Sequence, residues 1–208
     1  KDDQEDILCR ISAINRGPTP APIHLLPQIW YRNDWSWGYD RERSRFQRVE
    51  SPRWSVYAVT TSHRHLGDRW WYVDVRDHLG AQLLFTENDT NQERLWGVMN
   101  ETPYVKDAFH EAVVHGRMDK VNPAHVGSKV AAHFQAMVQP GATFTVRVRF
   151  TNEDMDAPFA DFDAIFAQRI READEFYATV QHPDSDEDER LVQRHGFEQH
   201  AGAGDVLE

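Results

Sequence analysis

Strict alternation of apolar and polar residues marks the segment Thr143-Phe144-Thr145-Val146-Arg147-Val148-Arg149-Phe150. A period of two places the aromatic and aliphatic side chains on one face of a β-strand and the polar ones on the other. We therefore expect the apolar face to be buried, and Arg147 and Arg149 to be exposed. Pro140-Gly141 separates this segment from the apolar residues 130–138. Since Pro-Gly is a turn pair, the two segments are predicted to form an antiparallel hairpin.

Other short segments with strand character precede this pair. Ile7, Cys9, Ile11 and Ala13 alternate with more polar residues, and Asn15-Arg16-Gly17-Pro18 then favours a turn. Several short strands joined by turns are typical of a sandwich. The sequence predicts a mainly β fold, an antiparallel β-sandwich, whose further strands are residues 23–31, 54–61, 70–75 and 82–86.

Two regions depart from the strand pattern. Residues 87–129 are rich in Asn, Pro, Gly and His without a sustained period, which predicts a long irregular loop of the kind that is usually functional. Residues 161–180 have the period of an amphipathic helix, with Asp161 as the N-cap. A second helix is predicted to begin at Ser185-Asp186-Glu187-Asp188, which resembles a capping box, and to stop at Gly196.

The charge of the chain is divided unevenly. Residues 152–208 hold 16 acidic and 4 basic residues, a net charge of −12, whereas residues 1–151 carry a net charge of +1. We expect a sandwich domain over 1–151, an acidic helical linker or start of a helical domain over 152–198, and an unstructured tail over 199–208. Neither charged part offers the basic face that nucleic-acid binding needs, so that class of function is excluded.

Composition also limits the cellular compartment in which the protein is expected. No run approaches the roughly 20 apolar residues of a membrane span, and no signal peptide is recognisable, so no membrane partner is expected. The single cysteine, Cys9, excludes an internal disulfide and is expected to be a buried, inert thiol. These features favour a cytoplasmic protein. Because the chain opens with Lys1 and further polar residues, it is expected to be a piece of a larger protein.

Several blocks of sequence follow one another in a recognisable order. They are the aromatic-rich residues 15–37, Leu84-Phe85-Thr86-Glu87-Asn88-Asp89-Thr90-Asn91, Arg94-Leu95-Trp96-Gly97, Pro103-Tyr104-Val105-Lys106-Asp107 and Arg171-Glu172-Ala173-Asp174-Glu175-Phe176-Tyr177. Together they resemble the β-sandwich region of bacterial glucosidase-like proteins of glycoside hydrolase family 63. The resemblance extends from residue 5 to residue 194.

In that family a supersandwich-like β domain precedes an (α/α)6 barrel, which holds the acid and the base of an inverting α-glucosidase. The resemblance implies that the chain is the sandwich part, truncated at both ends, with the catalytic barrel outside it. It implies no catalytic residue in this chain, and an oligosaccharide or glucoside as partner. No metal or cofactor is expected, because a metal site needs three or four converging ligands and the spacing of the histidines does not indicate one; they are His63, His65, His110 and His115. Apolar surface that would face the missing barrel is expected to drive a homo-oligomer.

Aromatic residues are the first candidates for substrate binding, because aromatic rings match the apolar C–H face of a pyranose. The candidates are Trp35, Trp37, Trp96 and Tyr104. The alternative is that members of the cluster around residues 30–37 fill the sandwich core and the others pack under the long loop.

Three loop carboxylates, Glu87, Asp107 and Glu111, lie close in sequence to loop aromatics. A carboxyl held against aromatic surface has a raised pKa and can act as a general acid. The alternative is that these residues organise the loop by accepting backbone hydrogen bonds. Three functions therefore remain open: a non-catalytic or active-site-lining part of an α-glucosidase-type enzyme, a free-standing carbohydrate-binding module, and a small hydrolase that uses loop carboxylates.

Overall fold

The computed structural model describes residues 5–38, 42–51, 53–182 and 184–203. The strands are β1 (Ile7–Ile14), β2 (Ala21–Leu25), β3 (Gln28–Trp30), β4 (Phe46–Val49), β5 (Val56–His63), β6 (Gly67–Asp74), β7 (Gln82–Thr86), β8 (Val126–Gly127), β9 (Lys129–Val138) and β10 (Thr143–Thr151). The helices are α1 (Gln92–Trp96), α2 (Ala108–His115), α3 (Phe162–Val180) and α4 (Glu187–Ala203). These strands and helices belong to two compact units, one that ends at Ala160 and one that begins at Asp161.

Two antiparallel sheets build the first unit. The larger sheet has the strand order β1-β10-β6-β5-β4-β8, and in the smaller sheet β2, β3 and β7 all pair with β9. The facing side chains form one core, to which Phe46 and Trp71 come from the larger sheet and Phe85 and Phe134 from the smaller one. The predicted mainly β, antiparallel, sandwich-like fold is therefore confirmed.

Strands β9 and β10 do not form the predicted hairpin. β9 pairs within the smaller sheet and β10 pairs with β1 and β6 in the larger one, so the turn at Pro140-Gly141 crosses between the sheets. The connection from β1 to β2 also crosses between the sheets, and hydrogen bonds of Asn15 link these two connections. Its carbonyl oxygen accepts a hydrogen bond from Gly141 N at 2.8 Å, and its Nδ2 donates to Val138 O at 2.8 Å.

The core face of β10 has the predicted register, since Val146 is 1% and Val148 is 7% exposed. Cys9 of β1 lies opposite Val148 but is exposed, so the expectation of a buried thiol was wrong. Among the described residues, β1 is the terminal strand of a six-stranded sheet, and the facing sheet has four strands. Within this part of the chain, a side chain at the outer edge therefore lacks a covering partner, although its position in the strand alternation is an inward one.

Arg149 contradicts the expectation that the arginines of β10 are exposed, because it is only 2% accessible. Its Nε and Nη2 donate to the two carboxylate oxygens of Asp6 at 2.9 and 2.7 Å, and its Nη1 donates to Pro158 O at 2.8 Å. Asp6 is itself 4% exposed. The two-pronged geometry is that of a strong, charge-assisted pair.

The region 87–129 is more regular than expected, since it contains α1, α2 and β8. Phe109 and Ala112 of α2 pack, together with Val121, on Leu84 of β7 and Ala131 of β9. This second apolar cluster covers the outer face of the smaller sheet. The helix has eight residues, which is too short for a helical period to stand out in the sequence. Strand β4 was also missed, because only four residues form it.

In the second unit, α3 confirms the predicted helix. Asp161 occupies the N-cap position, but its side chain forms no capping hydrogen bond. Phe162, Ile165 and Tyr177 are buried. Other apolar side chains of this unit are exposed, namely Ile170, Phe176, Val180, Leu191 and Val192. Association of the chain with itself stays a prediction.

The start of α4 is a capping box, one residue later than the sequence indicated. Glu189 N donates to Asp186 Oδ1 at 2.8 Å, and Asp186 N donates to Glu189 Oε2 at 3.2 Å. The helix passes through Gly196 and reaches Ala203, so the predicted stop was wrong and residues 199–203 are helical. A glycine inside a helix costs about 1 kcal/mol, which neighbouring residues can offset. Residues 204–208 of the expected tail lie outside the described residues.

Candidate functional site

Glu87 begins the long loop and holds its two ends together. The residue is 6% exposed and follows the last residue of β7. Its Oε2 accepts hydrogen bonds from Ser128 Oγ at 2.6 Å and Ser128 N at 3.2 Å, while its own N donates to Tyr104 O at 2.7 Å. Ser128 lies between β8 and β9. The side chain therefore connects the start of the loop to the strand that follows the loop.

Two arginines before β4 complete the surroundings of Glu87. Arg43 Nη1 lies 3.3 Å from Glu87 Oε2 and 3.0 Å from Asp89 Oδ2. Arg45 Nη1 lies 3.3 Å from Glu87 Oε1. Both carboxylate oxygens of Glu87 have partners inside the protein. This favours the alternative in which Glu87 organises the loop, over direct action on a substrate.

Asp89 fixes the orientation of one candidate tryptophan. Its Oδ1 accepts hydrogen bonds from Trp35 Nε1 at 3.0 Å and from Asn33 Nδ2 at 3.2 Å. The guanidinium of Arg43, whose Nη1 bonds Asp89 Oδ2, lies 5.4 Å from the centre of the Trp35 ring. The indole is thus held at its edge by a carboxylate and on its face by a cation.

Three of the four candidate aromatics line one cleft of about 460 Å³. Trp35 is half-buried there, whereas Trp37 is 61% and Trp96 is 66% exposed. The polar residues of the cleft are Asn33, Ser36, Arg43, Asp89, Thr90, Gln92, Asn100, Glu101 and Thr102. Tyr104, the fourth candidate, is half-buried and does not line this cleft. Core packing does not account for two indoles that are so exposed.

A short, well-capped helix carries Trp96 to the cleft. Asn91 caps α1 by accepting a hydrogen bond from Arg94 N at 3.1 Å. Asn100 closes the loop after the helix, since its Oδ1 accepts from Gln92 N at 2.8 Å and its Nδ2 donates to Asn91 Oδ1 at 3.0 Å. These bonds hold the segment although none of the α1 side chains is buried.

Asp107 and Glu111 come together in a second cleft, of about 420 Å³, which Glu87 does not line. Asp107 Oδ2 lies 3.2 Å from Arg94 Nη1 and accepts from Asn91 Nδ2 at 3.3 Å. Glu111 Oε2 lies 3.5 Å from Arg117 Nη1. The structure therefore separates the three carboxylates into a pair and a single residue, and gives each one a cationic partner.

Asp89, Asn33, Arg43 and Asn100 shape the first cleft and were not singled out from the sequence. All are polar residues in irregular segments, and their partners lie as far as 56 positions away. The available signal was local: Asn88-Asp89 begins two residues beyond the end of a buried apolar strand, where polar side chains often line sites.

Lys129, the first residue of β9, lies between two aromatic rings. Its Nζ is 5.2 Å from the centre of the Trp30 ring and 5.0 Å from that of Phe109. Burial, and then the positive charge of Lys106, lower the pKa of Lys129. The two rings compensate part of the lost hydration by cation–π attraction.

Within the described ranges, no group of three or more His, Cys, Asp or Glu side chains is arranged to hold a metal ion. None of the helices described is both long enough and apolar enough to cross a membrane.

Similarity to known proteins does not assign this chain to a family. No protein-family model matches the chain. The chain is 28% identical, over 231 aligned positions, to the uncharacterized protein YMR196W of Saccharomyces cerevisiae. The alignment covers 95% of this chain and 21% of the yeast protein, so the chain spans about a fifth of the length of the relative it matches.

Proposed function

We propose that the sandwich binds an uncharged oligosaccharide, such as an α-linked glucoside, in the cleft of Trp35, Trp37 and Trp96. The observation that carries the proposal is the exposure of Trp37 and Trp96, at 61% and 66%, around a single cleft. Tryptophan is costly to leave in water, and three indoles in a cleft give flat surfaces for pyranose rings.

Polar groups of the same cleft suit sugar hydroxyls, which both donate and accept hydrogen bonds. Asn100, Glu101 and Gln92 lie there beside the indoles. Trp35 is already fixed through Asp89 and Arg43. Since fewer side chains need to be ordered on binding, this preorganisation lowers the entropic cost of holding a sugar.

The proposal extends to the parent protein, of which this sandwich is a non-catalytic, active-site-lining part. The resemblance to family 63 glucosidases supports this role, and the length of the yeast relative is compatible with further domains. The carboxylates of the long loop are engaged by Arg43, Arg94 and Arg117. We therefore expect binding of a glucoside by this chain without turnover.

The test is a calorimetric titration of the chain with maltotriose. Trp37→Ala and Trp96→Ala should each weaken binding about tenfold, because each removes one stacking surface. Trp30→Ala is the matched control, since Trp30 is 51% exposed but outside this cleft. Absence of binding at millimolar maltotriose, or an equal loss in the Trp30 variant, would refute the proposal.

A parallel assay with 4-nitrophenyl α-glucoside separates binding from catalysis. We expect hydrolysis at the level of buffer, because among the described residues no pair of free carboxyls flanks the tryptophan cleft. The hydrolase alternative rests on the shared cleft of Asp107 and Glu111. Turnover that copurifies with the chain and disappears in Asp107→Asn would select that alternative.

A further inference from the structure

A third cleft, of about 570 Å³, lies beside the connection from β4 to β5 and shares no residue with the tryptophan cleft. Trp54 stands at its surface and is 76% exposed. Arg48, Arg53, Tyr57 and His125 also line it. The cleft thus combines an exposed indole with two arginines and a histidine.

His125 is held in a strained conformation at this cleft. Its φ is +54°, and among the described residues it is the one non-glycine residue with positive φ. Two hydrogen bonds maintain it, from His125 N to Asn122 O at 3.1 Å and from Arg48 N to His125 O at 3.0 Å. Backbone strain of this kind costs about 1–3 kcal/mol and is concentrated at functional sites.

The environment of the His125 ring indicates which of its two nitrogens can donate a hydrogen bond to a ligand. Its Nδ1 is buried and has no hydrogen-bond partner among the described residues. Burial, and then the charge of Arg48, lower the pKa of the imidazole, so it carries one ring proton at neutral pH. Because a buried N–H without an acceptor is especially rare, we assign that proton to Nε2. The ring then offers one donor to a ligand in the cleft.

The two arginines supply positive charge that the described part of the protein does not neutralise. The guanidinium of Arg48 lies 5.0 Å from the centre of the Tyr57 ring. Arg53 Nε donates to the main-chain oxygen of Asp156 at 2.7 Å, which leaves its terminal nitrogens available. Glu50 is the acidic residue among those lining the cleft, whose formal charge is +1 in a chain of net charge −11.

We propose that this third cleft binds an anionic sugar, a pyranose that carries a carboxylate or a phosphate. The sugar ring stacks on Trp54, and the anionic group lies between Arg48 and Arg53 with a hydrogen bond from His125. Guanidinium groups match the paired oxygens of carboxylate and phosphate, and indole faces match the C–H face of a pyranose. This inference does not depend on the tryptophan cleft, because the two clefts have no lining residue in common.

The experiment is calorimetric titration of the chain with glucose 6-phosphate, glucuronate, glucose and inorganic phosphate, in 50 mM salt. One of the two anionic sugars should bind at least tenfold more tightly than glucose and than inorganic phosphate. Which one it is identifies the anionic group. Arg48→Met and Arg53→Met should each reduce that affinity at least tenfold, with unchanged thermal unfolding. Trp54→Ala should reduce it about tenfold, and Trp37→Ala should leave it unchanged.

Two results would overturn the inference. The first is that glucose, or inorganic phosphate, binds as tightly as both anionic sugars do. The site would then not recognise an anionic group and a sugar ring together. The second is full affinity in both arginine variants. His125→Asn gives a further check that keeps the fold, because asparagine tolerates positive φ. We expect about threefold weaker binding in this variant, through loss of one hydrogen bond.

Discussion

Replacement of Asp6 by asparagine tests the buried ion pair with Arg149 most directly. The variant keeps the shape of the side chain but exchanges one accepting oxygen, 2.7 or 2.9 Å from the guanidinium, for an amide that donates. One charge-assisted hydrogen bond is lost, and the arginine stays charged at 2% exposure. Removing one partner of a buried pair costs about 3–5 kcal/mol, and we expect that loss in the free energy of unfolding.

The assay is urea unfolding followed by tryptophan fluorescence, which reports on the sandwich because all 7 tryptophans precede Ala160. Asp119→Asn is the control, since Asp119 pairs with Arg117 at 3.5 Å and the two side chains are 65% and 49% exposed. That variant should lose less than about 1 kcal/mol. The double variant Asp6→Leu with Arg149→Met should recover most of the stability. A loss in Asp6→Asn no larger than in the control would refute the reasoning.

Three further changes probe packing and pH dependence. Val146→Asp places a charge at a position 1% exposed and should cost several kcal/mol in urea unfolding; unchanged stability would contradict the register of β10. Gly127→Ala would bring a Cβ within 2.3 Å of Thr86 O and should cost at least about 2 kcal/mol, whereas Gly80→Ala, in open space, should be neutral; equal effects would contradict the contact. Burial, and then the charge of His24, lower the pKa of His133 in the folded chain from its ordinary value of 6.5. As the pH falls below 6.5, His133 therefore gains a proton more readily in the unfolded chain than in the folded one, and the free energy of unfolding decreases. His133→Gln should therefore lose less stability than the natural chain between pH 7 and pH 5, and identical losses would contradict this.

The alternation in β10 predicted which face meets the core but not what covers the other face. Arg149 has the sequence position of an exposed residue. Its burial depends on Asp6, 143 positions away, and on Pro158 in the segment after the strand. A local period carries no information about such distant partners. Polar residues on the outward face of a strand can therefore be buried without any change in the pattern.

The turn at Pro140-Gly141 was located correctly, but its geometry was not. A Pro-Gly pair permits both a hairpin within one sheet and a crossing between two sheets. The bonds from Asn15 favour the crossing, and they come from the far end of the sandwich sequence. Turn residues indicate where a strand ends, whereas the choice of its partner depends on the whole topology.

For the candidate site, the type of a residue predicted its role better than its place in the sequence did. Trp35, Trp37 and Trp96 were selected because aromatic rings match the apolar face of a sugar, and the structure brings these three to one cleft. The residues that fix the geometry, Asp89 and Arg43, were missed. Their role comes from contacts across the loop, which follow from the fold and not from a motif.

The pairing of β1 with β10 has a consequence for the order of events during synthesis. Ile7 is aligned with Phe150, and among the described residues β1 pairs with β10 alone, so this pairing cannot form until β10 has emerged from the ribosome. The entropy of closing so long a loop must be overcome before that contact stabilises anything, and such distant pairings slow folding. Until then the nascent chain exposes the apolar side chains of β1 and the charged group of Asp6 without their partners. We expect this chain to depend on chaperones more than a sandwich built from sequential hairpins would.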